Sequence, residues 1–504
     1  MSPDLSELRD WRKRDAHRKR RIIFNNDGDD LWKADGTRDG ILAARTTPLV
    51  GTHVDAIWSW GASGTKLFFG EGPFARLYCV EDGPYYRRAR EPYEKLMAEC
   101  GRDHMEIMID FCRAHDIEIF YSARINDLHE SYFDGRMQRI KLAHPEWCLG
   151  TKEQGRKYGY PDPRSSWSAM NFEVPEIRRM TVEALQEVCR TYDIDGIELD
   201  FWRHLVNFPE MTTGGPVTPE HVALMNELVR DLRAMTEAEG LRRGRPIVVA
   251  ARCVEDLDVS LNSGLDVRTW LEQDLVDILT FVAATEHTPS IRPITEFADG
   301  LGVPVYPIIN AYDAAVEKEG DDRRGNLPVW RADALNKFDQ GAAGLQTFNL
   351  FDPDLPQWRE LGDPDLLRTL DRTYVWHYLP SQRHGRDTFG ALRVTRHRHA
   401  VEVTASGCEP MPIHIGEDLS SAPGDPKLTL RVHAAETMNP NDLQIRLNDR
   451  HIGVNPAPDD PSWLRADDLD PGMFRKRENL VTAQIREGSA TIDQVRLEVR
   501  PTHA

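Results

Sequence analysis

The chain has 504 residues, 40% of them hydrophobic and 29% charged, the make-up of a folded globular protein long enough for a large domain and a smaller one. Its formal charge of −19 excludes general nucleic-acid binding, which needs a basic surface to displace counterions. No signal-peptide core opens it and no apolar run approaches membrane-spanning length, so no membrane partner is expected. Seven cysteines without a CxxC pair argue against zinc-finger chemistry and for a reduced, cytoplasmic protein.

Residues 1–21 form a basic lead-in, with Arg12, Lys13, Arg14, Arg18, Lys19, Arg20 and Arg21 partly balanced by Glu7, Asp10 and Asp15. A solvated helix is expected there. Ile22-Ile23-Phe24 begins a first strand, followed by the acid-rich Asn25 to Asp30, from which Asp27 is a candidate site residue. Val54 to Trp60 reads as a second strand. Ile117 to Asn126 is a third, and period two puts Ser122, Arg124 and Asn126 on one face, with Asp127 and His129 just beyond. The loop from Pro145 to Asn171 carries Trp147, Tyr158, Tyr160 and Trp167, whose rings suit stacking on sugars.

A helix from Pro175 to Tyr192 leads to the stretch with most chemical content, Asp195-Gly196-Ile197-Glu198-Leu199-Asp200-Phe201, followed by Trp202, Arg203 and His204. As a strand it sends Glu198 and Asp200 to one face, and two buried acids are costly unless something neutralises or uses them. Glu198 lies deeper, where a structural role is the simpler reading. Further strands are expected at Pro246 to Arg252, Leu275 to Ala283 (with Glu286 and His287 beyond it), Val303 to Asn310, and Gly344 to Phe351, which includes Asn349. Eight strands alternating with helices predict an α/β fold, a closed (β/α)8 TIM barrel, over residues 22–380. No GxGxxG follows the first strand, so a dinucleotide fold has no support. Short alternating strands such as Lys427 to Val432, Leu443 to Leu447 and Gln494 to Val499 predict a small β-sandwich over 388–504, for packing, oligomer formation or sugar binding.

Asp195 to Phe201 resembles the fourth-strand signature of glycoside-hydrolase barrels. With Arg124-Ile125-Asn126-Asp127, His144-Pro145-Glu146-Trp147 and Phe351, the chain is similar to family-10-like glycosyl-hydrolase proteins over about residues 22–380. The resemblance implies a TIM barrel and hydrolysis of O-glycosidic bonds in a carbohydrate. Asp200 matches the position where retaining α-glycosidase barrels carry an aspartate nucleophile. The chitinase signature DGxDxDxE is similar too, but Trp202 stands where its final glutamate would be, which counts against substrate-assisted chemistry.

Glycosidic cleavage needs one carboxyl to protonate the leaving oxygen and a second to attack the sugar or activate water. Asp200 is the expected nucleophile or base, with Glu286, or failing that Asp127, as the acid. Arg124, Arg203 and Arg252 would hold Asp200 ionised or grip a uronate or sulfate. Asp27, Asn126, Glu198, Trp202, His204, Asn310 and Asn349 complete the expected substrate-binding set. No cofactor or metal is expected, and a homo-oligomer is open. Two alternatives stand beside this reading: a non-catalytic carbohydrate-binding barrel, and a metal-dependent barrel hydrolase or isomerase using His53, Asp55, Asp127, His129 and Glu198.

Overall fold

The computed structural model describes residues 3–34, 36–131, 133, 135–158, 163–213, 215, 217–282, 290–310, 326–377, 400–434 and 442–502. Eight parallel strands close into a barrel in chain order: β1 (Ile22–Asn26), β2 (Val54–Ser59), β3 (Glu118–Arg124), β4 (Gly196–Asp200), β5 (Val248–Val254), β6 (Ile278–Val282), β7 (Val305–Asn310) and β8 (Leu345–Phe348). All eight fall within the stretches expected from the sequence, apart from short extensions at β1 and β5. Residues 1–308 and 343–354 form one compact unit, and the C-terminal part of the chain, with the helix Leu327–Asp339, belongs to a second. Among the described residues no helix is long and apolar enough to cross a membrane.

Inside the barrel, Ile23, Ala56, Trp58, Phe120, Val248, Ala250, Ile278 and Tyr306 pack into one apolar layer. Trp58 and Phe120 stack there, with centroids 4.7 Å apart. The start of β4 must be glycine, because a Cβ on Gly196 would lie 2.5 Å from both the Phe120 ring and the Val248 carbonyl oxygen.

The lead-in is a mostly solvated helix, as expected, with a narrow buried seam. Leu5–Ala16 is indeed helical, opened by an Asp4–Glu7 capping box, but it buries Leu8, Arg12 and Ala16. Arg12 pairs with Asp277 at 2.9 Å, and Arg20 grips Glu118 with two bonds of 2.6 Å. Arg12 and Arg20 are thus tied to acids on or beside β3 and β6, while Lys13, Arg14, Arg18 and Lys19 are exposed.

The second unit is built on two antiparallel sheets. One has the order β10 (Val401–Val403), β18 (Ala490–Arg500), β12 (Lys427–Ala434), β16 (Trp463–Ala466), β15 (Asn455–Pro456), and β9 (Arg372–His377) also pairs with β18. The other runs β11 (Met411–Ile415), β17 (Arg477–Ile485), β13 (Leu443–Leu447), β14 (Arg450–Ile452). Alternate residues of both sheets, among them Val403, Ile413, Leu430, Ile445, Val481 and Leu497, share one core. The sandwich is therefore as expected, enlarged by β9.

Candidate active site

Beneath the C-terminal strand ends lies a saturated carboxylate. Glu198, with no exposed surface, accepts from Arg252 Nε (2.9 Å) and Nη2 (2.8 Å), Gln346 Nε2 (2.9 Å), Thr280 Oγ1 (3.3 Å) and the Ser122 hydroxyl. Burial pushes its pKa up and Arg252 opposes the rise. Asp200, 3% exposed, accepts from Arg252 Nη1 at 3.0 Å and from the Arg203 backbone N–H at 2.9 Å. The period-two expectation holds, since one arginine reaches both acids, but both are embedded.

An open hollow of about 300 Å³ adjoins the ends of β1, β2 and β3, lined by Asp27, Arg124, Asp127, His129 and Arg203 with Trp32, Trp60, Tyr78, Tyr85 and Phe133. Local structure delivers Asp27 to it. Asn26 at the end of β1 turns the chain, its Oδ1 accepting from the Gly28 N–H (3.0 Å) and its Nδ2 donating to Asp30 (2.9 Å). Gly28 has a φ of +74° and packs so close to Gly61 that a Cβ would lie 2.5 Å from the Gly61 Cα. Asp30 is locked in turn to the ring of His104 at 2.8 Å, both fully buried.

From the end of β3, Arg124 reaches Asp27 at 3.0 Å and Asp127 at 3.5 Å, with its guanidinium 5.5 Å from the Trp60 ring centre. His129 meets Asp127 twice, through its backbone N–H at 3.0 Å and through ring Nδ1. Its other nitrogen, Nε2, lies 2.8 Å from Arg203 Nη2. A guanidinium only donates, so Nε2 accepts and the proton sits on Nδ1, facing Asp127. Burial, with Arg203 and Arg124 adding to it, holds His129 below the ordinary histidine range despite Asp127. Burial alone would raise Asp27 and Asp127. Arg124 and Arg203 bring Asp27 below the usual carboxylate range, and the His129 contact and Arg124 hold Asp127 well below it. The hollow thus presents two ionised carboxylates. Tyr78 and Tyr85 are kept protonated by burial, and the Tyr78 hydroxyl has no hydrogen-bond partner among the described residues.

Of the residues expected from sequence, Asp27, Arg124, Asp127 and Arg203 converge on this hollow, and Glu198, Asp200 and Arg252 lie outside its lining. Asn126 is buried and acts as a staple, donating to the carbonyls of Met170 (3.1 Å) and Val206 (2.8 Å) and accepting from the Met170 N–H (2.9 Å). Trp202 packs edge-on against Phe348, centroids 5.2 Å apart. His204 meets His129 edge-on at 5.1 Å, and burial and His129 press its pKa well down. Asn349 is half-buried with a φ of +54°. Glu286 and the Asn310 side chain lie outside the described residues. Trp32, Tyr78, Tyr85, Phe133 and Arg136, also in the lining, were not expected; the density of aromatics between Trp60 and Tyr93 was the available signal for Tyr78 and Tyr85.

Of the residues expected for a metal, Asp127 and His129 come together with His204, each able to bring one ligand atom within 4.8 Å of the others. The residues fit a metal poorly. Both His129 nitrogens are engaged, and the guanidiniums of Arg124 and Arg203 adjoin the same carboxylate and ring, repelling a cation. Of the other residues considered for a metal, Asp55 is paired with Arg21 (2.7 Å) near the N-terminal end of β2, and Glu198 is saturated.

No known family profile matches the chain, and no curated protein matches it. Solved structures that resemble it include a glycoside hydrolase family 18 N-acetylglucosaminidase from Paenibacillus barengoltzii (13% identity, 69% of this chain and 98% of that one, TM-score 0.37). The PgaB (BpsB) glycoside hydrolase domain from Bordetella bronchiseptica is similar at 13% identity, over 69% and 99%, with a TM-score of 0.41. The GH36 alpha-galactosidase AgaA from Geobacillus stearothermophilus has 9% identity, over 98% of this chain and 59% of that one, with a TM-score of 0.36. The fold assignment rests on this chain's own strand pairing.

Proposed function

We propose that the protein is a glycoside hydrolase that binds a carbohydrate in the hollow at the ends of β1, β2 and β3. The observation that carries this reading is the meeting of two ionised carboxylates, Asp27 and Asp127, with the aromatic faces of Trp32, Trp60, Tyr85 and Phe133 in one recess at the C-terminal side of a closed barrel. Aromatic faces suit the C–H faces of sugar rings, while carboxylates and guanidiniums suit hydroxyls. The likeness of Asp195 to Phe201 to glycosidase fourth strands points the same way.

Within this reading Asp127 is the nucleophile or base, because a carboxyl held well below its ordinary range is charged at neutral pH and a poor proton donor. The acid is assigned to Glu286 on its place after β6 in the sequence. Asp200 becomes a positioning residue that orients Arg252 and, through the Arg203 N–H, the segment carrying Arg203 and His204. The test is hydrolysis across a panel of aryl glycosides and polysaccharides. On a glycoside the wild type cleaves, Asp127→Asn is expected to lower kcat by about 10²–10⁴-fold, assayed below the variant's own melting temperature because the ionised carboxylate also contributes to stability. Wild-type turnover in that variant removes the role.

A second reading, a carbohydrate-binding barrel without bond cleavage, is favoured by one observation. Asp27 and Asp127 are both ionised, so neither supplies the proton that cleavage requires. Saturable glycan binding with no product at any pH between 4 and 9 would establish it.

A further inference from the structure

The charges that line the hollow do not balance. Asp29 is taken up by Arg45 and Glu130 by Lys141, while Asp27 and Asp127 share the single guanidinium of Arg124. Two further guanidiniums line the same hollow, those of Arg203 and Arg136. Arg203 donates one bond to the neutral His129 ring, touches Asp200 through its backbone alone, and leaves its Nε buried without a partner. Among the described residues no carboxylate forms an ion pair with it. Burial, with Arg124 beside it, pulls its pKa below the ordinary arginine value although Asp27, Asp127 and Asp200 oppose the fall. Arg136 lies over two rings, 4.6 Å from the centre of Tyr85 and 5.1 Å from that of Phe133, and forms no ion pair with a described acid. Aromatic stacking fixes the plane of a guanidinium without using its N–H donors.

We propose that the hollow selects a saccharide bearing an oxyanion on its ring, a carboxylate or a sulfate, held by the guanidiniums of Arg136 and Arg203. This rests on the carbohydrate reading above and narrows it to acidic sugars. With Asp27 and Asp127 set against Arg124, Arg203 and Arg136, a neutral sugar leaves one positive charge in excess. An oxyanion meets Arg136 and Arg203 with charge-assisted bonds, and the carboxylate fits the guanidinium fork in two parallel contacts. Asp27 and Asp127 would repel an anion, but Arg124 lies between them and screens both.

The test uses the full chain and matched sugars: glucose with glucuronate and glucose 6-sulfate, and galactose with galacturonate and galactose 6-sulfate, titrated by calorimetry at low and high salt. At least one acidic member is expected to bind tenfold or more tighter than its neutral partner, with the preference shrinking as salt rises. Arg136→Gln, on the half-buried rim, is expected to lose most of that preference, and Arg203→Gln is the second variant. The carboxylate and sulfate arms report which oxyanion is preferred. Equal binding of neutral and acidic members, a preference that survives both substitutions, or no binding by any member overturns the inference. Hydrolysis of the corresponding aryl glycosides separates the two claims. A cleaved neutral glycoside without acid preference keeps the hydrolase and sinks the selectivity; acidic-sugar binding without cleavage of any glycoside does the reverse.

Discussion

The floor of the barrel mouth and its rim use the same residue types and leave different remainders. On the floor, Glu198 takes five hydrogen bonds and Asp200 two, with Arg252 shared between them. On the rim, Arg124 spans two carboxylates, one of them at 3.5 Å, and Arg203 keeps an unused Nε. A saturated set gains nothing from a ligand, whereas an under-coordinated set gains from any partner that completes it. The comparison therefore assigns stability to the floor and recognition to the rim.

The largest expected effect tests the floor. Glu198→Ala removes one partner of a buried ion pair and takes the acceptor from Arg252 and from Gln346, Thr280 and Ser122, so it should cost about 3–5 kcal/mol in stability, read by urea or guanidinium unfolding. A loss below about 1 kcal/mol would break the distinction. Asp200→Asn sharpens it. It should lower stability by about 1–3 kcal/mol with a modest loss of activity, while Asp127→Asn, which also gives up a strongly held carboxylate, should lose far more activity for each unit of stability lost. If the two asparagine variants show the same ratio of stability loss to activity loss, floor and rim are one functional unit.

A smaller effect concerns the support of the rim. Burial alone would raise Asp30, but His104, Asn26 and Arg45 hold it at about 2. His104 lies above its ordinary value because Asp30 outweighs the burial that would lower it. The carboxyl's contribution is full above the unfolded carboxylate range and disappears as pH falls towards 2. It is worth about 2 kcal/mol. The histidine's contribution is full below about 6.5 and is lost as pH rises through its raised folded value. The stability lead of the wild type over Asp30→Asn should therefore peak between about pH 4 and 6.5, as measured by thermal melts from pH 3 to 8. A lead that does not vary with pH would mean that the pair is neutral in the folded protein.

The barrel was legible because each strand is a short apolar run that needs only its neighbours in the sequence to find its place. β9 was not, since Arg372–His377 pairs with Gln494 to Val499, more than a hundred residues further on. In the site, period two told which residues share a face and not how deep they lie. For that reason Asn126, Glu198 and Asp200 were expected at the substrate, while the structure embeds them in hydrogen bonds. Asp27, Arg124, Asp127 and Arg203 were legible because each stands at or just after a strand end. Arg136, Tyr78, Tyr85 and Trp32 come from connecting segments, whose return to the rim depends on tertiary packing such as the edge-on contact of Trp32 with Tyr85 at 5.2 Å.

The smallest effect separates an exposed rim aromatic from a core one. Phe133 is 53% exposed, faces His129 at 6.2 Å and lies beneath Arg136. Its removal exposes no core surface, so Phe133→Ala should change stability by no more than about 0.5 kcal/mol. It does remove a sugar-facing ring and one of the two that orient Arg136, a loss of about 0.5–1.5 kcal/mol in binding. That corresponds to a roughly 2- to 12-fold rise in KM or Kd at constant kcat. Trp58, fully buried and stacked on Phe120, is the control, because Trp58→Ala should cost about 3–5 kcal/mol in stability. If Phe133→Ala destabilised the fold as Trp58→Ala does, the outer ring would be part of the core and the rim would lose its claim to be a separate, ligand-facing region.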